Sequence, residues 1–496
     1  MVYAELVILF LFGLFLSFIF CFTCVQGIIL FNYLKKSKQT TPDKFTFDEL
    51  PIVTIQLPIY NEKYVVKRLL QHIGKLNYPV HKLEIQVLDD SSDITKDILA
   101  REVQRMKVEG FDIQHIRRDV REGFKAGALS NGLKSAKGEF IAIFDADFTP
   151  TVDFLERLLP YFRDFGVGVV QSRWGHLNTD YSLLTKLQAF GLDAHFSIEQ
   201  EGRSAGGHFI NFNGTAGIWR KITIEESGGW HADTLTEDLD LSYRAQLKGW
   251  RFVYDKEIIT PAELPVMMDS LKSQQFRWSK GAAECARKHF VNLMTSKNIS
   301  AKTKIVGFFH LTNSWVFFFI TMLALFSLPV LHIQSYSLGA ENFYRFGYVF
   351  VVSFIILVFF YWTSERQNSK LSFTSVINFV LKFPLFISFS MGLSLHNCVA
   401  VIEGLLGKKT PFIRTPKLAG KNKLATSSVK TDYITSKISL STWLDLFFLV
   451  YCTIGFVYAY SHENYGFIPF YVLLIIGFGA LTIYTFMDYY KINTLS

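Results

Sequence analysis

The feature that most constrains this chain is a run of about 29 residues without a charged side chain, from Leu6 to Leu34. A helix of that length exceeds the ~30 Å needed to cross the hydrocarbon core of a bilayer. The run is too long for a secretory signal and lacks both the basic segment and the small-residue cleavage site of one. It therefore predicts an uncleaved membrane anchor.

Further apolar runs follow residue 304, at 305–333, 348–362, 443–459 and 467–487. Together with the first run they predict five spans. Lysines at 35–38 and 302–304 flank the polar middle of the chain and place it in the cytoplasm, with the N terminus outside and the C terminus inside. The stretch 373–406 is also apolar, but Lys382, Pro384 and Glu403 interrupt it. These residues favour a segment that lies on the cytoplasmic surface of the membrane over a full span.

The net charge of +8 and the pI of about 9.0 do not indicate a nucleic-acid partner. Much of the excess lies beside the membrane segments, where cytoplasmic flanks are expected to be basic. Among the five cysteines, Cys21 and Cys24 form a CxxC pair inside the first apolar run, where neither zinc nor a redox partner is expected. Reduced, packed thiols are the interpretation we adopt.

Between residues 40 and 300, short apolar strands alternate with amphipathic helices. This alternation predicts βαβ units and an α/β domain with a mainly parallel sheet. Ligands bind such sheets beyond the carboxyl ends of the strands. The predicted strands are 52–57, 83–88, 112–116 and 140–144, and the predicted helices are 62–75, 94–106 and 125–135.

Acidic residues follow two of these strands. Asp145 and Asp147 come after the apolar strand FIAIF, where two carboxylates could bind a divalent cation that bridges phosphates. A solvated turn is the simpler alternative for this pair. Asp89 and Asp90 begin the sequence DDSSD, which could cap the next helix, bind a nucleobase N–H, or do both.

Two more motifs stand at or within predicted helices. Glu237 and Asp238 begin a helix, where acidic residues complement the helix dipole, but a carboxylate could also serve as the general base of an inverting sugar transfer. Gln274, Arg277 and Trp278 share one helix face by their spacing. The Arg could bind a leaving diphosphate and the Trp a sugar ring, or the pair could simply anchor the helix at the membrane surface.

Taken in order, these motifs resemble glycosyltransferase family 2, and specifically its processive membrane branch. Residues 50–290 look most like the plant cellulose synthase-like A and C synthases of mannan and xyloglucan backbones. Phe148 stands where cellulose synthases proper usually have His. The stretches that carry the resemblance are LPIYNE (57–62), DDSSD (89–93), FKAGALSNGL (124–133), FDADF (144–148), TED (236–238) and QQFRW (274–278).

The resemblance implies a GT-A-like fold, a Mg²⁺ or Mn²⁺ cofactor and a role for each matching residue. Asp238 would be the catalytic base, and Asp145 and Asp147 would hold the metal. The implied substrate-binding residues are Tyr60, Asp89 and Asp90 at the nucleobase, Lys125 and Asp145 at the diphosphate, Phe212, Asn213 and Gly214 beside the acceptor, and Gln274, Arg277 and Trp278 at the diphosphate and acceptor end. Glu62 and Glu237 are further implied substrate-binding residues.

A second resemblance lies further along the chain. Residues 394–417 look like the interfacial helix and FxVTxK gating loop of cellulose synthases, with Phe412, Thr415 and Lys417 matching and Arg414 replacing the usual Val. No stretch resembles a cyclic-di-nucleotide-binding module. We therefore predict a membrane anchor (1–39), a cytoplasmic GT-A domain (40–300), a transmembrane helix pair (301–372), an interfacial helix with a gating-loop-like segment (373–440) and a second transmembrane pair (441–496).

The resemblance implies an inverting hexosyltransferase of the cell (inner or plasma) membrane. It would use UDP-glucose or GDP-mannose to extend and export a polysaccharide whose sugars are joined by β linkages, namely β-1,4 linkages. Export or accessory subunits are possible partners. The alternative is a single transfer to a membrane lipid, as in ceramide glucosyltransferases, which carry related motifs. A third hypothesis, an inactive scaffold, is disfavoured by the intact motif set.

Overall fold

The computed structural model describes residues 2–36, 50–336, 348–368, 371–410, 417 and 440–495. Of the predicted gating-loop residues, Lys417 is described, whereas Phe412 and Thr415 lie outside the described residues. Among the described residues, a seven-stranded sheet forms the centre of the polar domain, and long apolar helices flank it.

The sheet has the strand order β3-β2-β1-β4-β6-β5-β7. Strands β1 to β4 are mutually parallel, whereas β6 runs antiparallel to both β4 and β5. Because β6 is antiparallel to both of its neighbours, β5 points the same way as β4. Strand β7 is parallel to β5 and therefore also points the same way as β1 to β4. The carboxyl ends of six strands therefore meet at one edge. The strands are β1 (Val53–Ile59), β2 (Leu83–Asp89), β3 (Asp112–Arg117), β4 (Phe140–Ile143), β5 (Val167–His176), β6 (Gly217–Arg220) and β7 (Arg251–Ala262).

Helices cover both faces of the sheet, so the central strands have no exposed side, and even their polar residues Thr54, Gln56, Glu84 and Gln86 are buried. The predicted α/β alternation is confirmed from 53 to 143, with most boundaries within two residues. The predicted helix 62–75 begins only at Val66, because the chain turns at Asn61 and the amides of Val65 and Val66 both bond to the Glu62 carbonyl. The helices of this domain are α2 (Val66–Ile73), α3 (Thr95–Val108), α4 (Phe124–Leu133), α5 (Phe154–Leu158), α6 (Leu183–Ala194), α7 (Gln200–Ala205), α8 (Lys221–Glu226), α9 (Glu237–Leu247) and α10 (Met268–Thr295), with short 3₁₀ turns at Val80–Lys82, Leu159–Arg163 and Thr179–Tyr181 and a π turn at His195–Glu199.

The remaining helices make this a multi-pass membrane protein. Five described segments are long and apolar enough to cross a bilayer, by length and composition: Tyr3–Lys35, Trp315–Tyr336, Phe373–Gly392, Leu440–Ser461 and Tyr465–Tyr490. The helices are α1 (Val2–Lys35), α11 (Ala301–Leu311), α12 (Trp315–Tyr336), α13 (Tyr348–Asn368), α14 (Phe373–Gly392), α15 (Ser394–Leu406), α16 (Leu440–Ser461) and α17 (Ile468–Leu495), with a 3₁₀ turn at Tyr465–Phe467.

This set of five differs from the predicted one at two helices: it contains α14, and it does not contain α13, which covers the predicted span 348–362. The sequence argument placed 373–406 on the membrane surface, yet α14 alone is long enough to span. Its aromatic face packs on α6 of the sheet domain, where Phe190 contacts Phe379 and Phe386. This contact agrees with a surface position, and the depth of α14 stays a prediction.

Helix α10 joins the sheet domain to the membrane helices. The Lys272 ammonium forms a buried ion pair with Asp445 of α16 at 2.8 Å. The Met268 amide, at the start of α10, donates to the carboxylate of Asp488 on α17 at 2.8 Å. His396 of α15 donates to the Lys272 carbonyl at 3.0 Å. These bonds fix α10 against three membrane-side helices.

Candidate active site

One cleft lies at the edge where the strands end. Its walls come from the end of β1, the end of β4, the loop before α9 and the first turns of α10. Most of the predicted site residues line it, although they are up to about 350 positions apart in the sequence. They are Tyr60, Glu62, Asp90, Lys125, Asp145, Asp147, Asn213, Gly214, Glu237, Asp238, Gln274, Arg277, Trp278 and Lys417.

Two predicted residues, Asp89 and Phe212, do not line the cleft. Asp89 is buried beneath it and accepts hydrogen bonds from His115 and from the Ser91 amide, both at 2.8 Å. Burial alone would raise the pKa of Asp89, but the bonds from His115 and Ser91 outweigh it and lower the pKa. Phe212 packs edge-on against Trp219 in the core, at 5.5 Å between ring centroids. Both residues are buried and support the residues that line the cleft.

The end of the cleft beside Tyr60 is assembled from cations that the motifs did not single out. Arg118 binds both carboxylate oxygens of Asp90, one of them at 3.0 Å. The Arg121 guanidinium lies 3.4 Å from the centroid of the Tyr60 ring, as a cation–π pair. The sequence signal for both was the basic run HIRRDVREG that follows β3. We call Tyr60, Asp90 and Arg121, with Arg118 behind Asp90, the nucleoside end, after the role that the sequence resemblance implies for Tyr60 and Asp90.

Asn61 holds the nucleoside end in shape. It adopts a left-handed backbone with φ of 55°, a conformation that Asn tolerates better than most residues. Its side-chain oxygen accepts hydrogen bonds from the amides of Ser92 at 2.9 Å and Asp93 at 3.3 Å. The loop after β1 and the loop after β2 are thereby tied together.

Lys125 lies at the opposite end of the cleft among carboxylates. Its ammonium is 2.6 Å from Asp145 and 3.8 Å from Glu237, and it donates to the Gly214 carbonyl at 2.9 Å. Burial works against the charged form of Lys125, but Asp145 and Glu237 outweigh burial and raise its pKa. Lys125 therefore stays cationic within the cleft.

Asp238 lies beside Lys125 and is the carboxyl group best suited to exchange a proton near neutral pH. Burial and the neighbouring charge of Glu237 raise the pKa of Asp238 to about 7, against the opposing effect of Lys125. Gly214 makes the close approach possible. Its φ is +78°, and an added Cβ atom would lie 3.0 Å from the Asp238 carboxylate. We call the set Lys125, Asp145, Glu237, Asp238 and Arg277 the catalytic end.

Arg277 brings a second buried cation to the catalytic end. Burial lowers its pKa, while the carboxylates of Glu237, Asp145 and Asp238 act in the opposite direction and favour its charge. Arg277 projects from α10, as do Gln274 and Trp278, so the predicted helix face is the one that lines the cleft. An arginine held among carboxylates has the geometry and charge to bind a phosphate group.

Lys417 reaches the cleft from the predicted gating segment. Its ammonium is 2.8 Å from the Asp147 carboxylate and donates to the Glu263 carbonyl at 3.1 Å. Burial opposes the charge of Lys417, but Asp147 outweighs burial and raises its pKa. Glu263, which the sequence motifs missed, follows β7 and also pairs with Arg68 at 2.7 Å.

The residues Asp145 and Asp147 fit a divalent cation. Carboxylate oxygens are the donors that Mg²⁺ and Mn²⁺ prefer. In this structure each carboxylate is paired with one ammonium group, Lys125 or Lys417. Both carboxylates are therefore placed to attract a cation. A divalent metal is thus consistent with this pair of aspartates.

Another group, His231, Asp233 and Asp240, lies close enough together to hold a metal. Asp240 is already paired with Arg244 and with His289, each at 2.8 Å. Burial opposes its ionised form, but these partners outweigh burial and lower the pKa of Asp240. We interpret the group as a structural ion-pair network that fixes α9 against α10.

Comparison with known proteins agrees with this geometry. The family model for glycosyl transferase family 2 matches residues 54–225, and that for glycosyl transferase family group 2 matches residues 140–363. Glucomannan 4-beta-mannosyltransferase 1 of Oryza sativa subsp. japonica is 34% identical over 394 residues, which cover 76% of this chain and 71% of that protein. Glucomannan 4-beta-mannosyltransferase 9 of Arabidopsis thaliana is 36% identical over 397 residues, covering 77% and 70%.

The chain spans about two thirds of the length of the relatives it matches, as with the probable glucomannan 4-beta-mannosyltransferase 11 of Oryza sativa subsp. japonica (36% identity, 66% of that protein). Among solved structures, a mannosyltransferase from Pyrobaculum calidifontis in complex with GDP-Man and Mn²⁺ is similar, with a TM-score of 0.56, 18% identity, and coverage of 81% of this chain and 100% of that one. This likeness shows the fold, which is GT-A-like. The chain belongs to glycosyltransferase family 2 and is a membrane glycosyltransferase of its processive branch.

Proposed function

We propose that this protein transfers a hexose from a nucleotide sugar, with inversion, to the end of a growing β-1,4-linked polysaccharide. The observation that carries the proposal is the catalytic end of the cleft. There Asp238, whose pKa burial and Glu237 raise to about 7, lies beside two partly buried cations, Lys125 and Arg277. Residues suited to act as a base, as ligands of a leaving diphosphate and as a surface for a sugar ring line one cleft at the edge of the sheet.

Asp238 would act as the general base. As the acceptor hydroxyl attacks the anomeric carbon of the donor, its proton passes to the Asp238 carboxylate. Negative charge then grows on the departing diphosphate, and Arg277 and Lys125 are positioned to stabilise it. Gln274 and Trp278, on the same face of α10, would hold the acceptor end.

A divalent cation, Mg²⁺ or Mn²⁺, would be held by Asp145 and Asp147. When bound, it supplies positive charge to the diphosphate and makes it a better leaving group. The ammonium group of Lys417 now faces Asp147. Binding of the cation would therefore require Lys417 to move from Asp147 towards the phosphates.

The relatives support mannose as the transferred sugar. The three named above are glucomannan 4-beta-mannosyltransferases by name. GDP-mannose is therefore the donor we propose first, and UDP-glucose second. The contact of Lys417 with Asp147 supports a polymer over a lipid product, because Lys417 belongs to the gating-loop-like segment and Asp147 is a proposed metal ligand.

We place the sheet domain on the cytoplasmic side of the cell membrane. The basic flanks 35–38 and 302–304 support this orientation. Epitope tags at Lys38, at Lys137 and near Lys417 should then be protected in sealed cells, whereas a tag near Ser337 should be accessible. An accessible tag at Lys417 would mean that α14 crosses the membrane and that the gating-segment interpretation is wrong.

The test of the activity uses membranes that contain the protein. They are supplied separately with radiolabelled GDP-mannose and UDP-glucose in the presence of Mn²⁺, with Asp238→Asn membranes as the control. We expect an insoluble product from GDP-mannose that an endo-β-mannanase digests. A single chloroform-soluble species, resistant to endo-β-mannanase and endo-β-glucanase, would contradict the polymer and establish lipid glycosylation.

A further inference from the structure

The end of strand β5 forms a wall of the cleft that no motif predicted. The register between β5 and β7 shifts between Ser172 and Arg173, because residues 256–258 of β7 lie between the partners of these two consecutive residues. Irregularities of this kind are common beside active sites. The residues after the shift, Trp174, Gly175 and His176, all line the cleft.

Trp174 has a polar group without a partner. Its indole nitrogen is buried and has no hydrogen-bond partner among the residues that the structure describes. Trp219 and Trp230 share this property, but they lie in the core of the sheet domain. Trp174 differs because its side chain also lines the cleft, so its ring can contact a ligand there.

The Trp174 ring is held by aromatic contacts on two sides. Phe148, directly after the metal-site aspartates, packs edge-on against it at 5.1 Å between ring centroids. Phe196 packs at 5.0 Å with a tilt of 35°. These contacts fix the ring close to Asp147. Strand β5 lies beyond β4 and β6 in the strand order, so the ring lies towards the lateral edge of the sheet that is farther from the nucleoside end.

His176 is fixed by α6. Its Nε2 atom lies 3.4 Å from the Asp193 carboxylate, which also pairs with Arg173 at 3.3 Å. Leu192, the neighbour of Asp193, lines the cleft as well. The same helix packs against the membrane-side helix α14 through Phe190. The β5 wall is therefore linked through α6 to a membrane-side helix.

We propose that Trp174 and His176 form an acceptor subsite that binds the second sugar of the growing chain, next to the terminal sugar at Trp278. A hexose has apolar C–H faces and peripheral hydroxyls, and the β5 wall offers an aromatic ring and an imidazole. Both residues line the same cleft as Trp278, so a chain whose terminal sugar lies on Trp278 can extend along the β5 wall. The inference rests on the proposed polysaccharide product.

The experiment compares acceptors of one and two sugars. Purified protein in lipid nanodiscs is titrated with mannose, β-1,4-mannobiose and cellobiose, and GDP affinity is measured as a check of folding. Wild-type protein should bind a disaccharide more tightly than the monosaccharide. Trp174→Ala should reduce disaccharide affinity about five- to tenfold and leave monosaccharide affinity unchanged. Trp278→Ala should weaken both.

Two gentler variants change the two proposed contacts one at a time. Trp174→Phe keeps a smaller aromatic ring and should lose about threefold in disaccharide affinity; His176→Asn should lose a similar amount, since it removes the imidazole. Where Trp174→Ala no longer binds GDP, these two variants decide. In synthesis assays they should raise the acceptor KM and shorten the product at nearly unchanged kcat. Trp443→Ala, exposed on a membrane helix, is the matched control and should change nothing.

Two results would overturn the inference, and they can be told apart. If all β5-wall variants retain wild-type disaccharide affinity and product length while Trp278→Ala does not, the subsite is wrong but the polymer stands. If wild-type protein binds neither disaccharide and makes no polymer, the proposed function and the subsite fall together.

Discussion

The two ends of the cleft carry opposite excess charge. At the nucleoside end two guanidinium groups face one carboxylate: Arg118 binds both oxygens of Asp90, and the Arg121 guanidinium lies 3.4 Å from the centroid of the Tyr60 ring. At the catalytic end three carboxylates share two partly buried cations, and burial together with the charge of Glu237 raises the pKa of Asp238 to about 7. An excess of guanidinium groups suits the binding of an anionic nucleotide, whereas an excess of carboxylates favours proton exchange near neutral pH.

The two ends also differ in how the chain assembles them. The nucleoside end comes from loops after three adjacent strands, β1 to β3. The catalytic end combines side chains from α4, α9 and α10 with the loop after β4. Damage at the first end should therefore weaken binding, and damage at the second should slow the reaction. The following predictions test this division from the largest effect to the smallest.

The largest effect should follow removal of the cation site. Asp147→Ala, or excess EDTA on the wild type, should reduce hexose transfer by about 10³-fold or more, because the diphosphate loses its main compensating charge. Transfer is measured with labelled GDP-mannose with and without added Mn²⁺. Asp180→Ala, a solvent-exposed aspartate, is the matched control. Full activity in EDTA would refute the metal-site assignment.

Asp238→Asn should lower turnover by about 10²–10⁴-fold, the usual contribution of a general base. The nucleotide dissociation constant should hardly change, since the nucleoside end is left intact. Single-turnover kinetics and nucleotide titration measure the two quantities separately. A variant that keeps more than about half of the wild-type rate would show that another group takes the proton.

The pH dependence of kcat/KM reports the same carboxyl group in the free enzyme. Asp238 must be ionised to accept a proton, so its raised pKa makes activity fall about tenfold per pH unit below pH 7. Glu237→Gln removes a neighbouring negative charge and should move this fall to lower pH. A profile whose acidic limb stays in place in the Glu237→Gln variant would argue against Asp238 as the titrating base.

The smallest effect should come from the nucleoside end. Arg121→Ala removes the cation–π contact with Tyr60 and should raise the nucleotide dissociation constant about three- to tenfold. Turnover at saturating donor should remain close to that of the wild type. A large loss of kcat with unchanged affinity would break the distinction between the two ends.

Much of this picture could be predicted from the sequence where the signal was local. Strands β1, β2 and β4 are short apolar runs followed directly by polar residues, so both the sheet and the position of Asp145 and Asp147 followed from the pattern. The face of α10 that carries Arg277 followed from helical spacing.

The rest depended on contacts between distant parts of the chain. The second half of the sheet, including the antiparallel β6, gave no clear periodic signal, so the β5 wall with Trp174 was missed. Asp89 and Asp90 are adjacent in sequence, yet one is buried against His115 and the other faces the cleft, because successive residues at a strand end point in opposite directions. The contact of Lys417 with Asp147 joins positions separated by about 270 residues.

The attachment of α10 to the membrane helices has a consequence for how the enzyme must be handled. Arg277 and Trp278 belong to a helix whose first turns are fastened to Asp445 and Asp488 inside the bundle. Breaking a buried ion pair such as Lys272 with Asp445 by removing one partner typically costs ~3–5 kcal/mol. The packing of α16 and α17 within the bilayer thus helps to position the active-site residues of α10. A detergent that loosens α16 and α17 would misalign α10 without contacting the cleft itself.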